Sequence, residues 1–288
     1  MMMKADFTLE QLRAEPHISY SALNTYLNIC QLQYYFRYVE KLEPERTPVA
    51  LPFGSAFHAA LSEQAQAARQ GGKLSAVQLA DAFETHFTAA CNASENVVFK
   101  REDTRDGLVA LAARMLDAAL SEWRDYWNIE AVALPFRVEM PGLDIPLIGE
   151  MDMVVSESNP FDDDPETPCI VDFKTAARMW PDDKAAKDLQ ATVFSYAFEK
   201  VHGRRPVFRF DVVSKAKAPA VKRFYTARQE DDYSRLEKLA RSAQSAMQAG
   251  VFLPNETSFA CGDCPYAGSC SQWHCGAKPA AAGKEAAA

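Results

Sequence analysis

Cys169-Ile170-Val171-Asp172-Phe173-Lys174-Thr175 is the stretch on which the reading of this 288-residue chain turns. Its β-branched and aromatic residues lie between a turn-rich acidic segment ending at Pro168 and a polar stretch, which predicts a short buried strand. Side chains two apart on a strand share a face, so Asp172 and Lys174 stand together while Val171 and Phe173 pack into the opposite layer. Taken alone, Asp-x-Lys also fits an edge strand with a solvated face. Upstream, Leu147-Ile148-Gly149-Glu150-Met151-Asp152-Met153-Val154-Val155 reads as a second strand with Glu150 and Asp152 on one face. Downstream, the segment from Asp188 to Phe198 reads as a buried helix with Gln190 on its first, exposed turn.

An acid on one strand, Asp-x-Lys on the next and a glutamine opening the following helix form an ordered set. In this set the chain resembles the PD-(D/E)xK nuclease superfamily, specifically its RecB-like exonucleases. The resemblance implies an α/β fold of restriction-endonuclease type, a mixed central sheet flanked by helices. It also implies that Asp152 and Asp172 bind a divalent metal and that Lys174 is the catalytic lysine. Pro52-Phe53-Gly54-Ser55-Ala56-Phe57-His58 opens a helix through a glycine that permits close backbone approach. A lone helical histidine is more often packed or surface-exposed than a ligand. Phe-Gly-Ser-x-x-His is nevertheless the form of the first motif of RecB-like nucleases, so the likeness makes His58 a third metal-binding side chain.

On the same family pattern the carbonyl of Phe173 joins His58, Asp152 and Asp172 around Mg²⁺ or Mn²⁺, the histidine favouring Mn²⁺. Gln190 would position water or the substrate phosphate. Glu150 stays open between a carboxylate supporting the site from outside and a surface acid. One departure stands out: the family's helix motif is usually Gln-x-x-x-Tyr, whereas here Phe194 follows Gln190 at that spacing, with Tyr196 two residues further on. A hydroxyl that contacts substrate is missing from its usual place.

Size and composition fit a soluble globular protein: 48% hydrophobic and 24% charged residues can bury a sizeable core. No apolar run reaches the roughly 18 residues needed to span a bilayer, and the segment before Pro16 lacks the apolar centre of a signal peptide, so a cytoplasmic protein without a membrane partner is expected. A net charge of −8 argues against coating nucleic acid through bulk positive charge. Between Lys200 and Arg228, however, nine basic residues face one acid, Asp211. This stretch is either a solvated hairpin face or a local DNA-phosphate surface built from Arg204, Arg205, Lys215, Lys217, Lys222 and Arg223.

In chain order, residues 1–18 read as a flexible or loosely docked lead-in, 19–276 as the nuclease domain and 277–288 as a low-complexity tail. Ser19 or Ser21 caps an amphipathic helical segment ending in Tyr34, Tyr35 and Phe36. Two helices over about 75–127 resemble the helical insertion of this nuclease core. Trp123, Tyr126 and Trp127 are expected in core or interface ahead of stacking on bases. Pro141-Gly142 turns between two antiparallel strands, and the acidic run Asp162, Asp163, Asp164 and Glu166 lacks the alternation and glycine of a calcium loop.

Seven cysteines without a secretion signal do not suggest a disulfide framework. Cys91 and Cys169 lie in apolar surroundings, while Cys261-x-x-Cys264-x5-Cys270 places three thiols in one compact loop. One early cysteine, Cys30, and three late ones resemble the iron-sulfur module of AddB-type nuclease subunits and of exonucleases associated with CRISPR systems. That likeness implies a [4Fe-4S] cluster joining the N- and C-terminal segments. Structural zinc is the competitor, with His274 and Cys275 near enough to replace Cys30. In those families a proline commonly follows the early cysteine; Gln31 does here, so a softer helix break is expected.

Together these features predict a metal-dependent DNA exonuclease acting on single strands or DNA ends in repair, recombination or CRISPR adaptation, with a helicase, recombination or integration partner. The alternative is a non-cleaving DNA-end-binding or scaffold subunit with a vestigial site. A zinc-ribbon interaction protein leaves the central motifs unexplained.

Overall fold

A computed structural model describes residues 6–94, 96–125, 127–162 and 164–276. The tail at 277–288, the first five residues of the lead-in, Tyr126 and Asp163 lie outside the described residues. The elements run α1 (Leu9–Arg13), β1 (Ile18–Ser19), α2 (Tyr20–Asn24), α3 (Gln31–Tyr34), β2 (Thr47–Pro48), α4 (Ala50–Arg69), α5 (Ala76–Asn92), β3 (Val97–Val98) and α6 (Arg105–Ser121). They continue with β4 (Asn128–Val138), β5 (Leu147–Glu157), β6 (Thr167–Ala176), α7 (Lys184–Lys187), α8 (Leu189–His202), β7 (Val207–Ser214), β8 (Val221–Ala227), α9 (Glu230–Gln248) and α10 (Ala267–His274).

Six strands form the mixed sheet: β4 and β6 run antiparallel to β5, β7 parallel to β6, and β8 antiparallel to β7. Alternation splits the core into two layers. Cys169, Val171 and Phe173 pack under α4, α5 and α6 with Phe57, Phe83, Phe87 and Leu116, while Ile170, Phe208 and Phe210 pack under α8 and α9 with Phe194, Phe198 and Leu236. Trp123 is buried against Phe173, as expected of a core aromatic, and Trp127 packs edge-on to it. No described helix is long and apolar enough to cross a membrane.

The pairing of β5 shapes everything that follows. One edge is taken by β4 from Val138↔Leu147 to Asn128↔Ser156. A strand has two edges, so β1 and β6 must share the other. There β1 pairs in parallel as far as Ser19↔Ile148, and β6 begins only at Met153↔Val171. Gly149, Glu150, Met151 and Asp152 are left between them, and the sheet is split over these four residues.

Several local expectations need correcting. Part of the lead-in is structured: Thr8 caps α1 through a capping box with Gln11, Leu12 is buried, and Ile18 joins the sheet. Gly54 marks no close backbone approach, since α4 begins at Ala50, runs through it and leaves open space where a Cβ would be. The break at Cys30 is sharp despite Gln31: its backbone is extended (φ −167°, ψ 123°) between the π-helical turn Thr25–Ile29 and α3. Asn255 supplies the reason, donating its N–H to Cys30 Sγ at 3.4 Å and its side-chain amide to Ile29 O at 3.0 Å.

Candidate active site

Asp152 and Asp172 occupy the lips of the split. They would be the next pair in the β5–β6 ladder after Met153↔Val171, but the ladder stops and the Phe173 N–H instead donates to Asp152 Oδ2 at 2.9 Å. His58 on α4 reaches the same oxygen, Nδ1 at 2.9 Å. On β6, Lys174 Nζ lies 2.6 Å from Asp172 Oδ2. From the opposite layer, Gln190 donates its side-chain amide to Asp172 Oδ1. The split is what lets a residue of α4 and a residue of α8 meet across a sheet that would otherwise separate them.

Gln190 is buried rather than exposed. Its position follows from the Asp188 N-cap, whose carboxylate accepts the Gln190 N–H at 2.8 Å. Behind that cap, the buried Arg228 guanidinium donates to the carbonyls of Ala185 and Asp188 and to Thr192 Oγ1, fixing the turn from which α8 starts.

The electrostatics are those of opposed charges in a dry place. Burial pushes the Asp172 carboxyl up, Lys174 pulls it down and Asp152 adds to the rise, leaving it at about 6. Burial also presses on Asp152, but the charge and hydrogen bond of His58 win and hold it below the usual range. The His58 imidazole is in turn raised, its burial outweighed by Asp152, and Lys174 is raised because Asp172 outweighs burial. Glu150 is raised by burial and then by Asp152, with Arg13 of α1 opposing. It therefore feels both the site and the N-terminal helix.

Asp172 Oδ2 is sealed from solvent and accepts no hydrogen bond in suitable geometry, only the ammonium beside it. A buried carboxylate oxygen facing a second carboxylate suits a hard cation. Among the described residues, though, no group of three or more His, Cys, Asp or Glu side chains is disposed so that it could hold a metal ion. Each carboxylate is closed by a protein side chain instead, Asp152 by His58 and Asp172 by Lys174. The contact that Phe173, expected to ligate through its carbonyl, makes to the site is through its N–H.

The basic stretch is largely spent inside the protein. Arg209 is fully buried and donates to Asp211 at 2.8 Å and Glu157 at 2.7 Å, its guanidinium over the Trp127 ring at 4.4 Å. Arg204 meets Glu130 and Glu166 O, Arg205 meets Glu199 and Glu230, Lys222 meets Asp182, and Arg223 meets Glu122 and Asp211. Lys215 and Lys217, on the β7–β8 turn, form no ion pair within 4 Å among the described residues; the Lys215 ammonium sits 3.9 Å from the Phe53 ring centre. The buried pair escaped sequence reading although Arg209-x-Asp211 has the same spacing as Asp172-x-Lys174, and that spacing was the available signal.

Cys30, Cys261, Cys264 and Cys270 line one cavity of about 250 Å³, together with Phe36, Asn255 and His274. Cys275 is exposed and not in its wall, and His274 turns toward Glu256 at 3.8 Å. Burial first, and then the neighbouring thiols, push Cys264 and Cys270 up.

Residues 17–271 match the family described as the PD-(D/E)XK nuclease superfamily. Among solved structures, a protein from Eubacterium rectale named "Putative exonuclease" is similar at 10% identity and a TM-score of 0.58, over 91% of this chain and 93% of that one, and shares the fold. A second, named SSO0001, covers 86% and 92% at 10% identity with a TM-score of 0.33, and nothing is drawn from it. No curated protein matches the chain.

Proposed function

The chain belongs to the PD-(D/E)XK nuclease superfamily, and from that premise we propose that it is a metal-dependent exonuclease hydrolysing phosphodiester bonds in single-stranded DNA or at DNA ends. The observation that carries the proposal is the convergence of His58, Asp152, Asp172, Lys174 and Gln190 at the split in the sheet. His58, Asp152, Asp172 and the Phe173 carbonyl would hold Mg²⁺ or Mn²⁺. A bound ion of this kind supplies charge to polarise the phosphoryl group and to acidify a water. Gln190 holds Asp172 through Oδ1 and leaves Oδ2 to Lys174. Lys174 orients the attacking water and offsets charge on the phosphoryl oxygens as the P–O bond to the departing sugar oxygen breaks. The name of the Eubacterium rectale protein points toward an exonuclease as well.

The four cysteines are proposed to hold a [4Fe-4S] cluster. Support comes from Cys30, distant in sequence, lining the same cavity as the late triad while Cys275 does not. The Asn255 N–H aimed at Cys30 Sγ is the kind of donor a metal-bound thiolate accepts. Protein purified without oxygen should be brown, with iron and sulfide in equal amounts; colourless protein with stoichiometric zinc overturns the cluster. Seven unpaired cysteines support a reducing, cytoplasmic setting. Work on DNA ends in repair, recombination or CRISPR adaptation, beside a helicase or integration partner, follows from the family likeness alone.

The deciding experiment compares 5′-labelled, 3′-labelled and circular DNA with Mg²⁺, Mn²⁺ or EDTA. Metal-dependent loss of label from linear strands, with circles spared, is the expected result. Binding of ends without cleavage under any metal establishes the scaffold alternative instead.

A further inference from the structure

We propose that Tyr20 donates to the substrate phosphate the hydrogen bond that Phe194 cannot make. This rests on the nuclease reading and deepens it by adding a substrate-contacting residue. Phe194 lies one turn beyond Gln190, buried and committed to apolar packing against Phe136 at 5.2 Å and Phe208 at 6.2 Å between ring centres. Tyr196 does not make up for it, since its hydroxyl donates to Glu237 on α9, away from the split.

Tyr20 comes from another element. It directly follows β1, which occupies the β5 edge up to Ser19↔Ile148, so Tyr20 stands at one end of the gap Gly149–Asp152 while β6 bounds the other. Its backbone is fixed on both sides, by pairing to β5 and by Ser19, whose side chain accepts the Ala22 N–H at 3.2 Å and starts α2. Its ring meets Phe194 edge-on at 6.2 Å, over the helix that carries Gln190.

The half-buried Tyr20 has no hydrogen-bond partner among the described residues. Its phenol is raised above its ordinary value, by burial first. A phenol at the open end of the split with no partner of its own is free to donate to an oxygen that enters there.

The test is Tyr20→Phe, which keeps the ring and its packing. A hydrogen bond to a charged group of this kind corresponds to a loss of roughly tenfold or more in kcat/KM. The Mn²⁺ concentration for half-maximal activity and the melting temperature should stay at wild-type values. Tyr26→Phe, which removes a hydroxyl donating to Val251 O on the far side of α2, should cleave as wild type does. Anisotropy of a labelled single strand in Ca²⁺ separates the two levels of inference. Weaker binding by Tyr20→Phe supports the assignment even if the wild type never cuts, in which case only the nuclease reading falls. Wild-type binding and cleavage by Tyr20→Phe overturn the assignment, and absence of any DNA binding by the wild type overturns both.

Discussion

Replacing Asp172 by asparagine should make the metal-free protein more stable while removing its response to metal. Asp172 is 4% exposed, and its carboxyl is held at about 6 against an unfolded value of 3.8, burial being the main cause. An acid whose folded pKa is raised opposes folding once it ionises, so the cost is present above about pH 6 and fades as pH falls toward 4. A shift of about two units corresponds to about 3 kcal/mol at neutral pH, an upper figure because Lys174 loses its partner in the variant. The amide oxygen introduced by Asp172→Asn would still accept from Gln190.

Metal acts in the opposite direction. Binding at about 100 times Kd stabilises a wild-type fold by about 2.7 kcal/mol. For a chain of 288 residues that is about 4–5 °C in melting temperature. Calorimetry in EDTA and in excess Mn²⁺, at pH 5 and pH 8, gives the four numbers needed. The variant should melt above wild type in EDTA at pH 8, keep only about half of that advantage at pH 5, and show no Mn²⁺ shift. An Asp172→Asn protein that melts lower in EDTA at pH 8, or keeps the full Mn²⁺ shift, refutes the account of the split as a strained cation site.

Lys174→Ala should lose cleavage by about 10²–10⁴-fold with little change in melting temperature, and rates near wild type would remove its catalytic role. Arg209→Ala strands Asp211 and Glu157 in the core and should cost about 3–5 kcal/mol by denaturant titration; a loss under about 1 kcal/mol would show that water reaches the pair. Glu45 accepts the N–H groups of Gly268 and Ser269. Burial alone would raise its carboxyl, but those bonds and Arg46 hold it below its ordinary value, so its contribution is present near neutrality and lost on acidification through that lowered pKa. Glu45→Gln should therefore narrow the stability difference between pH 7 and pH 3, which parallel melts would show.

Much of the site was legible because strand alternation is local. The spacing of Asp172 and Lys174 places them on one face whatever the fold, and the order of His58, Asp152, Asp172 and Gln190 carries the family pattern. What alternation cannot report is which strand edges pair. The two-residue β1 has too little pattern to announce itself, so the split in β5 and the placing of Tyr20 beside it were invisible. Counting charges along the chain ignores the layer each side chain enters: Arg209 points inward on a strand buried on both faces, and its partner Glu157 lies 52 residues earlier. Cys30 likewise breaks its helix through a contact with Asn255 that no local window contains.

The clasp between the two ends of the domain sets a timetable for biosynthesis. Cys30 meets Leu253 and Asn255, and Glu45 meets Gly268 and Ser269, across some 223–225 positions of chain. At about 5–20 residues per second, a ribosome needs roughly 10 to 45 seconds to deliver those partners after Cys30 has been made. Until then one thiol of the set stands without the other three, and in the later part of the interval the strands bearing Asp152 and Asp172 have already been made. Joining of the two ends is therefore a late event, and newly made chains pass through a stage in which β5 and β6 exist before the ends that brace them are joined.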